Sequence, residues 1–180
     1  MITAATDRFC AFLRERAGMP SVLWFFAVIF LLSEVSILVM VAPVGMDLFL
    51  ALQTTLSPDT FAALVADLYR RGAVESYLGH FYYDFLHPVW YATLLALLLA
   101  RAMNRLALPA AGNRWLLLPF LAGLLDLVEN SLHIYMVVDT ANIAPPLVLL
   151  ANGSALAKWA LIGVCSVAVL VLFARRRHNG

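Results

Sequence analysis

Seven ionisable side chains interrupt stretches that are otherwise apolar: Glu34, Asp84, His87, Asp126, Glu129, His133 and Lys158. Such groups are costly in hydrocarbon and rarely face lipid. Asp126, Glu129, Asn130 and His133 stand at i, i+3, i+4 and i+7, a spacing that aligns all four on one face of a helix. That face must look into the protein. In the last apolar stretch Asn152, Ser154 and Lys158 break the hydrophobic run, and Ser154 and Lys158, four apart, share a face. Four carboxylates therefore confront one lysine, and neighbouring buried carboxylates can divide the work, one donating a proton while the other stays ionised. Asp126, Glu129, Lys158 and Asp84 are the expected catalytic set, with Asp126 or Glu129 as the acid and Lys158 holding its neighbour ionised. Glu34, His87, Asn130 and His133 are the expected substrate-binding residues. A lipophilic small molecule could reach such groups sideways from lipid, so isomerisation, cyclisation or hydrolysis of a lipid or isoprenoid is the chemistry the pattern suits.

Pro88 sharpens this expectation. Its ring displaces the carbonyl of the residue four earlier and removes a backbone hydrogen bond. That residue is Asp84, so a kink would aim both a free carbonyl and a carboxylate inward, next to His87.

A helix that spans a bilayer needs about 20 mostly apolar residues, and four windows qualify: about 21–42, 79–100, 115–138 and 146–173. At a rise of about 1.5 Å per residue, counting from the inner ends puts the seven ionisable groups in one layer running from the midplane outward. The expected fold is all-α, a single membrane domain over 1–180 built as an antiparallel four-transmembrane-helix bundle. Arg8, Arg14 and Arg16, then Arg101, Arg105 and Arg114, then Arg175, Arg176 and Arg177 mark the cytoplasmic segments. Both termini are thus expected in the cytoplasm of a multi-pass cell-membrane protein. Residues 1–20 read as an amphipathic segment on the membrane surface, with Phe9, Phe12 and Leu13 on one face. The segment 43–78 reads as an outer loop. Within it Ser57-Pro58-Asp59 supplies an N-cap, a proline at the first helical position and an acid in the first turn, and Phe61, Leu64, Val65 and Leu68 give one apolar stripe. The spacing predicts a short amphipathic helix over 58–70.

Composition narrows the alternatives. The chain has 180 residues, 63% hydrophobic and 13% charged, with a net charge of +1, which suits membrane lipid as surroundings and does not suggest nucleic acid as a partner. Cys10 and Cys165 form no Cys-x-x-Cys pair, which disfavours dithiol chemistry. No cofactor is fixed by the sequence and no metal ligands are assigned. Asp84-x-x-His87 and Glu129-x-x-x-His133 with Glu34 opposite give a carboxylate-rich set of the di-iron kind, but two Glu-x-x-His motifs are missing. A haem between His87 and His133 would be surrounded by acids. Proton transport would use the same chain of acids and histidines; without an internal repeat a monomeric transporter is disfavoured, though a homo-oligomer could conduct. The plainest alternative is a scaffold or accessory subunit whose buried polar groups hydrogen-bond across helices and hold them together.

The run Asp84-Phe85-Leu86-His87-Pro88-Val89-Trp90-Tyr91, then Asp126-Leu127-Val128-Glu129-Asn130, then Lys158-Trp159, resembles a family of small bacterial four-span membrane proteins without an assigned activity. The likeness extends to Met46-Asp47-Leu48, Ser57-Pro58 and Tyr77. It implies the four-span architecture and the prominence of Asp84, Asp126, Glu129, Asn130 and Lys158. His87 departs from the pattern, which carries an aromatic residue there.

Overall fold

The computed structural model describes residues 2–175. Among them the chain is all-α and has no strand. The helices are α1 (Ile2–Arg16), α2 (Pro20–Val41), α3 (Met46–Thr54), α4 (Pro58–Arg70), α5 (Val74–Asp84), α6 (His87–Arg105), α7 (Leu118–Val138) and α8 (Pro145–Ala174), with short 3₁₀ segments at Ala110–Leu117 and Thr140–Asn142. Arg176 and Arg177, counted above among the inner arginines, lie outside the described residues.

Three stretches are long and apolar enough to cross a membrane: α2, α8, and the run Ala110–Val138 that ends in α7. The helices α5 and α6 meet at 44° and pass the same test only as a pair. Sequence places this run at about 79–100, whereas helical structure begins at Val74. The polar Glu75 keeps the first turn out of an apolar window, although Tyr77 behind it is fully buried. The break at Phe85 and Leu86 has the expected cause. Pro88 sits in the first turn of α6, where its lack of an N–H costs nothing, and the carbonyl of Asp84, excluded from the helix, accepts instead from the Asn130 side-chain amide at 3.3 Å. Gly123 lets α7 come this close, since a Cβ there would stand 3.3 Å from Pro88 Cβ.

At the centre α7 packs on α8 and α6, and α2 lies against α5 and α6. α2 and α8 barely touch. The consequence is an open seam between α2 and α8. One end is closed by α3 and α4, whose Leu52, Phe61, Val65 and Leu68 are buried in a core with Tyr77, Met136 and Val148. The helix expected over 58–70 is α4: Ser57 Oγ accepts from the Thr60 N–H at 3.3 Å, and Gly72, at φ 65°, lets the Ala73 N–H close back on the Leu68 carbonyl. On its outer surface Asp67 pairs with Arg70 at 2.9 Å and Arg71 at 2.5 Å, and the Arg71 hydrogen bond holds the Asp67 carboxyl below its usual range. The segment read as a loop also contains α3. At nine residues it is too short to announce itself by hydropathy.

The other end is closed by α1. Its expected apolar face is divided: Leu13 is buried with Cys10 and Ala17 against Ala96, Leu97, Ala100 and Leu116, while Phe12 stays exposed and Phe9, also exposed, meets Phe120 edge-on at 5.3 Å. Arg14 explains the docking. Its guanidinium donates to Asn104 Oδ1 at 2.8 Å, Asn113 Oδ1 at 3.0 Å and the Leu108 carbonyl at 2.9 Å. These bonds tie α1 to the end of α6 and to the connection that follows it.

Candidate functional site

Lys158 joins the two most closely packed helices. Its Nζ stands 2.8 Å from Asp126 Oδ1 and 2.6 Å from Glu129 Oε2, with all three side chains at most 5% exposed. Asp126 and Glu129 are one turn apart on α7, so one ammonium on α8 can bridge both. Glu129 Oε1 has no partner among the described residues. The Tyr91 hydroxyl of α6 lies beside Asp126, short of a well-formed hydrogen bond.

Asp84 is buried at the end of α5. Its carboxylate approaches His80, whose Nε2 is 3.9 Å from Asp84 Oδ2, too far for a hydrogen bond. The His80 Nδ1 bonds to the Tyr77 carbonyl. A carbonyl only accepts, so Nδ1 carries the hydrogen and the Nε2 of the neutral ring has none to offer Asp84. The other polar neighbour of Asp84 is the neutral Asn130 side chain, so among the described residues no ammonium or guanidinium pairs with the Asp84 carboxylate. Across from it, on α2, Glu34 Oε2 lies 3.3 Å from His87 Nε2, and Ser33 Oγ lies 3.0 Å from His87 Nδ1. Glu34 keeps a partly exposed side chain.

His133 belongs to a different arrangement. Tyr77 Oη meets its Nδ1 at 2.6 Å, its Nε2 meets Asn152 Oδ1 at 2.8 Å, and Asn152 Nδ2 donates to the carbonyls of Leu52 at 2.7 Å and Thr55 at 2.5 Å. One polarity satisfies every member: the phenol donates to Nδ1, the Nε2–H donates to the amide oxygen, and the amide caps the C-terminal end of α3. Both ring nitrogens of His133 are thus engaged, away from Lys158.

A cavity of about 430 Å³ opens along the seam between α2 and α8, a size usual for small-molecule sites. It is lined by Phe30 and Ile37 of α2, Phe49 of α3, Leu95 of α6, and Trp159 and Ile162 of α8. Its polar wall is Asp84, Asp126 and Lys158, with Glu34 and His87 on the α2 side. Two further cavities, of about 400 and 420 Å³, reach none of these side chains.

Of the eight residues the sequence nominates, five line this one cavity: Asp84, Asp126, Lys158, Glu34 and His87. Glu129 stands behind Lys158. Asn130 is occupied by the Asp84 carbonyl, and His133 by Tyr77 and Asn152, so neither lines it. Sequence reasoning missed Tyr91, Gln53 and His80. Tyr91 had a signal, being four residues after His87 and so on its face of α6; Gln53 had none while α3 was read as loop. Among the described residues no group of three or more His, Cys, Asp and Glu side chains is arranged to hold a metal ion.

No protein-family model, curated protein or solved structure matches this chain.

Proposed function

We propose that the protein is a membrane-embedded acid/base enzyme acting on a lipid or isoprenoid that enters from the bilayer between α2 and α8. The observation that carries this reading is the cavity of about 430 Å³, apolar along its length and ending on Asp84, Asp126 and Lys158. A chain that diffuses laterally can fill the apolar part while its reactive end meets a carboxylate already paired to a lysine and a second carboxylate that is not. Asp126, steadied by Lys158, is the proton-transferring group next to substrate. Asp84 is its complement, and the His87–Glu34 pair borders the opposite wall. The test compares lipid extracts incubated with the protein in nanodiscs and with its folded Asp126→Asn variant. A lipid species converted only by the unaltered protein is expected; identical lipid profiles would overturn the reading.

The membrane arrangement belongs to the same proposal: four antiparallel spans, with α5 and α6 together forming the second, and both termini in the cytoplasm. Arg14, Arg101 and Arg105 gather at one end, where Arg101 bonds the Ala17 carbonyl and Arg105 the Phe173 carbonyl, as the excess of cytoplasmic arginine requires. A cysteine replacing the exposed Thr60 should react with a membrane-impermeant maleimide from outside intact cells, and one replacing Asn104 only after the membrane is opened. The reverse pattern would invert the topology.

A scaffold role is the second reading, favoured by Asn130, which donates to the Asp84 carbonyl, and by His133 and Asn152, which bond each other and, through Asn152, the α3 carbonyls, none of the three lining the cavity. It leaves the cavity itself without a use.

A further inference from the structure

From the polar groups of the seam cavity we infer that it takes an amphiphile with a long apolar body and a protonated amine at its head, and no phosphate. This deepens the reading of the cavity as a substrate site and rests on it.

Charge gives the first argument. Asp84, Asp126 and Glu34 all line the cavity, against one lysine there. That lysine is already divided between Asp126 and Glu129, at 2.8 and 2.6 Å. Asp84 has no cation paired to it among the described residues: it faces the hydrogen-free nitrogen of His80 at 3.9 Å and the neutral Asn130 side chain. A buried charge left without a partner is strongly unfavourable, and an ion pair formed in the same place offsets much of that cost. A phosphate head would add negative charge beside three carboxylates, so a phospholipid head is a poor fit, whereas an ammonium supplies what is missing.

Hydrogen bonding gives a second argument, independent of charge. Gln53 of α3 lines the same cavity, is 4% exposed, and its Oε1 has no donor among the described residues. A buried acceptor of this kind is normally satisfied, and what it lacks is an N–H or O–H from whatever fills the space beside it. An ammonium has three such hydrogens and can serve Gln53 and Asp84 together. Aromatic faces complete the surroundings: Phe30, Phe49, Tyr91 and Trp159 all line the cavity, and a cation near such rings is further favoured. The apolar body then lies along Leu95 and Ile162 toward the open seam.

Trp159 makes the test direct. With Trp24, Trp90 and Trp115 replaced by phenylalanine, Trp159 is the sole indole, and bromine carried on an alkyl chain quenches it on contact. Bromoundecylamine, bromoundecanol and bromoundecanoate are titrated against this protein in uncharged-lipid nanodiscs. The amine should quench at about tenfold lower membrane concentration than the alcohol, and the carboxylate least of all. In Asp84→Asn the amine should lose that advantage while the alcohol is unchanged. Equal quenching by amine and alcohol, or an advantage that survives in Asp84→Asn, overturns the inference. Should Asp84→Asn not fold, Gln53→Met keeps the volume and removes the acceptor, and undiminished amine quenching there overturns it equally. Its failure is distinct from that of the catalytic reading: lipid conversion with no amine preference removes only the head-group assignment, and amine preference with no lipid conversion removes only catalysis.

Discussion

Lys158→Met should destabilise the folded protein by about 3–5 kcal/mol, the usual cost of deleting one partner from a buried ion pair. The lysine is the single ammonium within 3 Å of both Asp126 and Glu129, and neither carboxylate is exposed enough for water to take over. Methionine fills similar volume and adds no cavity, so the loss reports charge and not packing. The expectation has an internal control. Adding Asp126→Asn and Glu129→Gln to Lys158→Met removes the stranded carboxylates with their cation, and most of the lost stability should return, because a neutral site is no longer an unpaired one. Reversible unfolding in mixed micelles measures both proteins. A single variant as stable as the parent would show that Lys158 does not hold the two acids, and the proposed division of roles between them would go with it.

The residues in that triad were legible from sequence for a simple reason. A carboxylate in an apolar helix has few places to go, and helical periodicity then tells which of its neighbours go with it. Asp126, Glu129, Asn130 and His133 are all buried as the spacing requires. The periodicity says nothing about how far apart the members act along the axis. Seven residues separate Asp126 from His133, about 10 Å of helix, and six separate Lys158 from Asn152. As α7 advances, α8 retreats: Asp126 and Glu129 meet Lys158, and His133 meets Asn152. One stripe thus serves two sites. The sequence also exposed the Pro88 break and its orphaned Asp84 carbonyl, because the chemistry of proline fixes which carbonyl is lost. It gave no indication that Asn130 would take that carbonyl, since any nearby donor could have done so. The seam was illegible for a related reason. Whether α2 closes on α8 depends on side-chain fit between two helices whose few polar residues leave most of their surface apolar, and hydropathy alone ranks those apolar faces alike.

Asn152→Leu should produce the second large loss, about 3 kcal/mol, because it leaves two buried groups, His133 Nε2–H and the Leu52 carbonyl, and the part-buried Thr55 carbonyl without partners at once, a buried group costing about 1–3 kcal/mol when unsatisfied. Tyr77→Phe, at the other end of the chain of bonds, strips only His133 Nδ1 and should cost a fraction of that. Pairing Asn152→Leu with both His133→Phe and Tyr77→Phe, which leaves no stranded group on the Tyr77–His133 side, should return part of the loss and not all of it, since the α3 carbonyls still lack a donor. The same variants separate stability from ligand selection. Neither Asn152 nor His133 lines the seam cavity, whereas α3, which Asn152 holds by its C-terminal end, carries Gln53 and Phe49 into it. A conservative Asn152→Gln that keeps α3 seated should therefore preserve the preference for amine over alcohol, and Asn152→Leu should weaken it only as far as α3 detaches. If Asn152→Leu leaves the unfolding free energy unchanged, the Tyr77–His133–Asn152 chain is not what anchors α3, and the end wall of the cavity must be held by the packing of Leu48 and Leu52 alone.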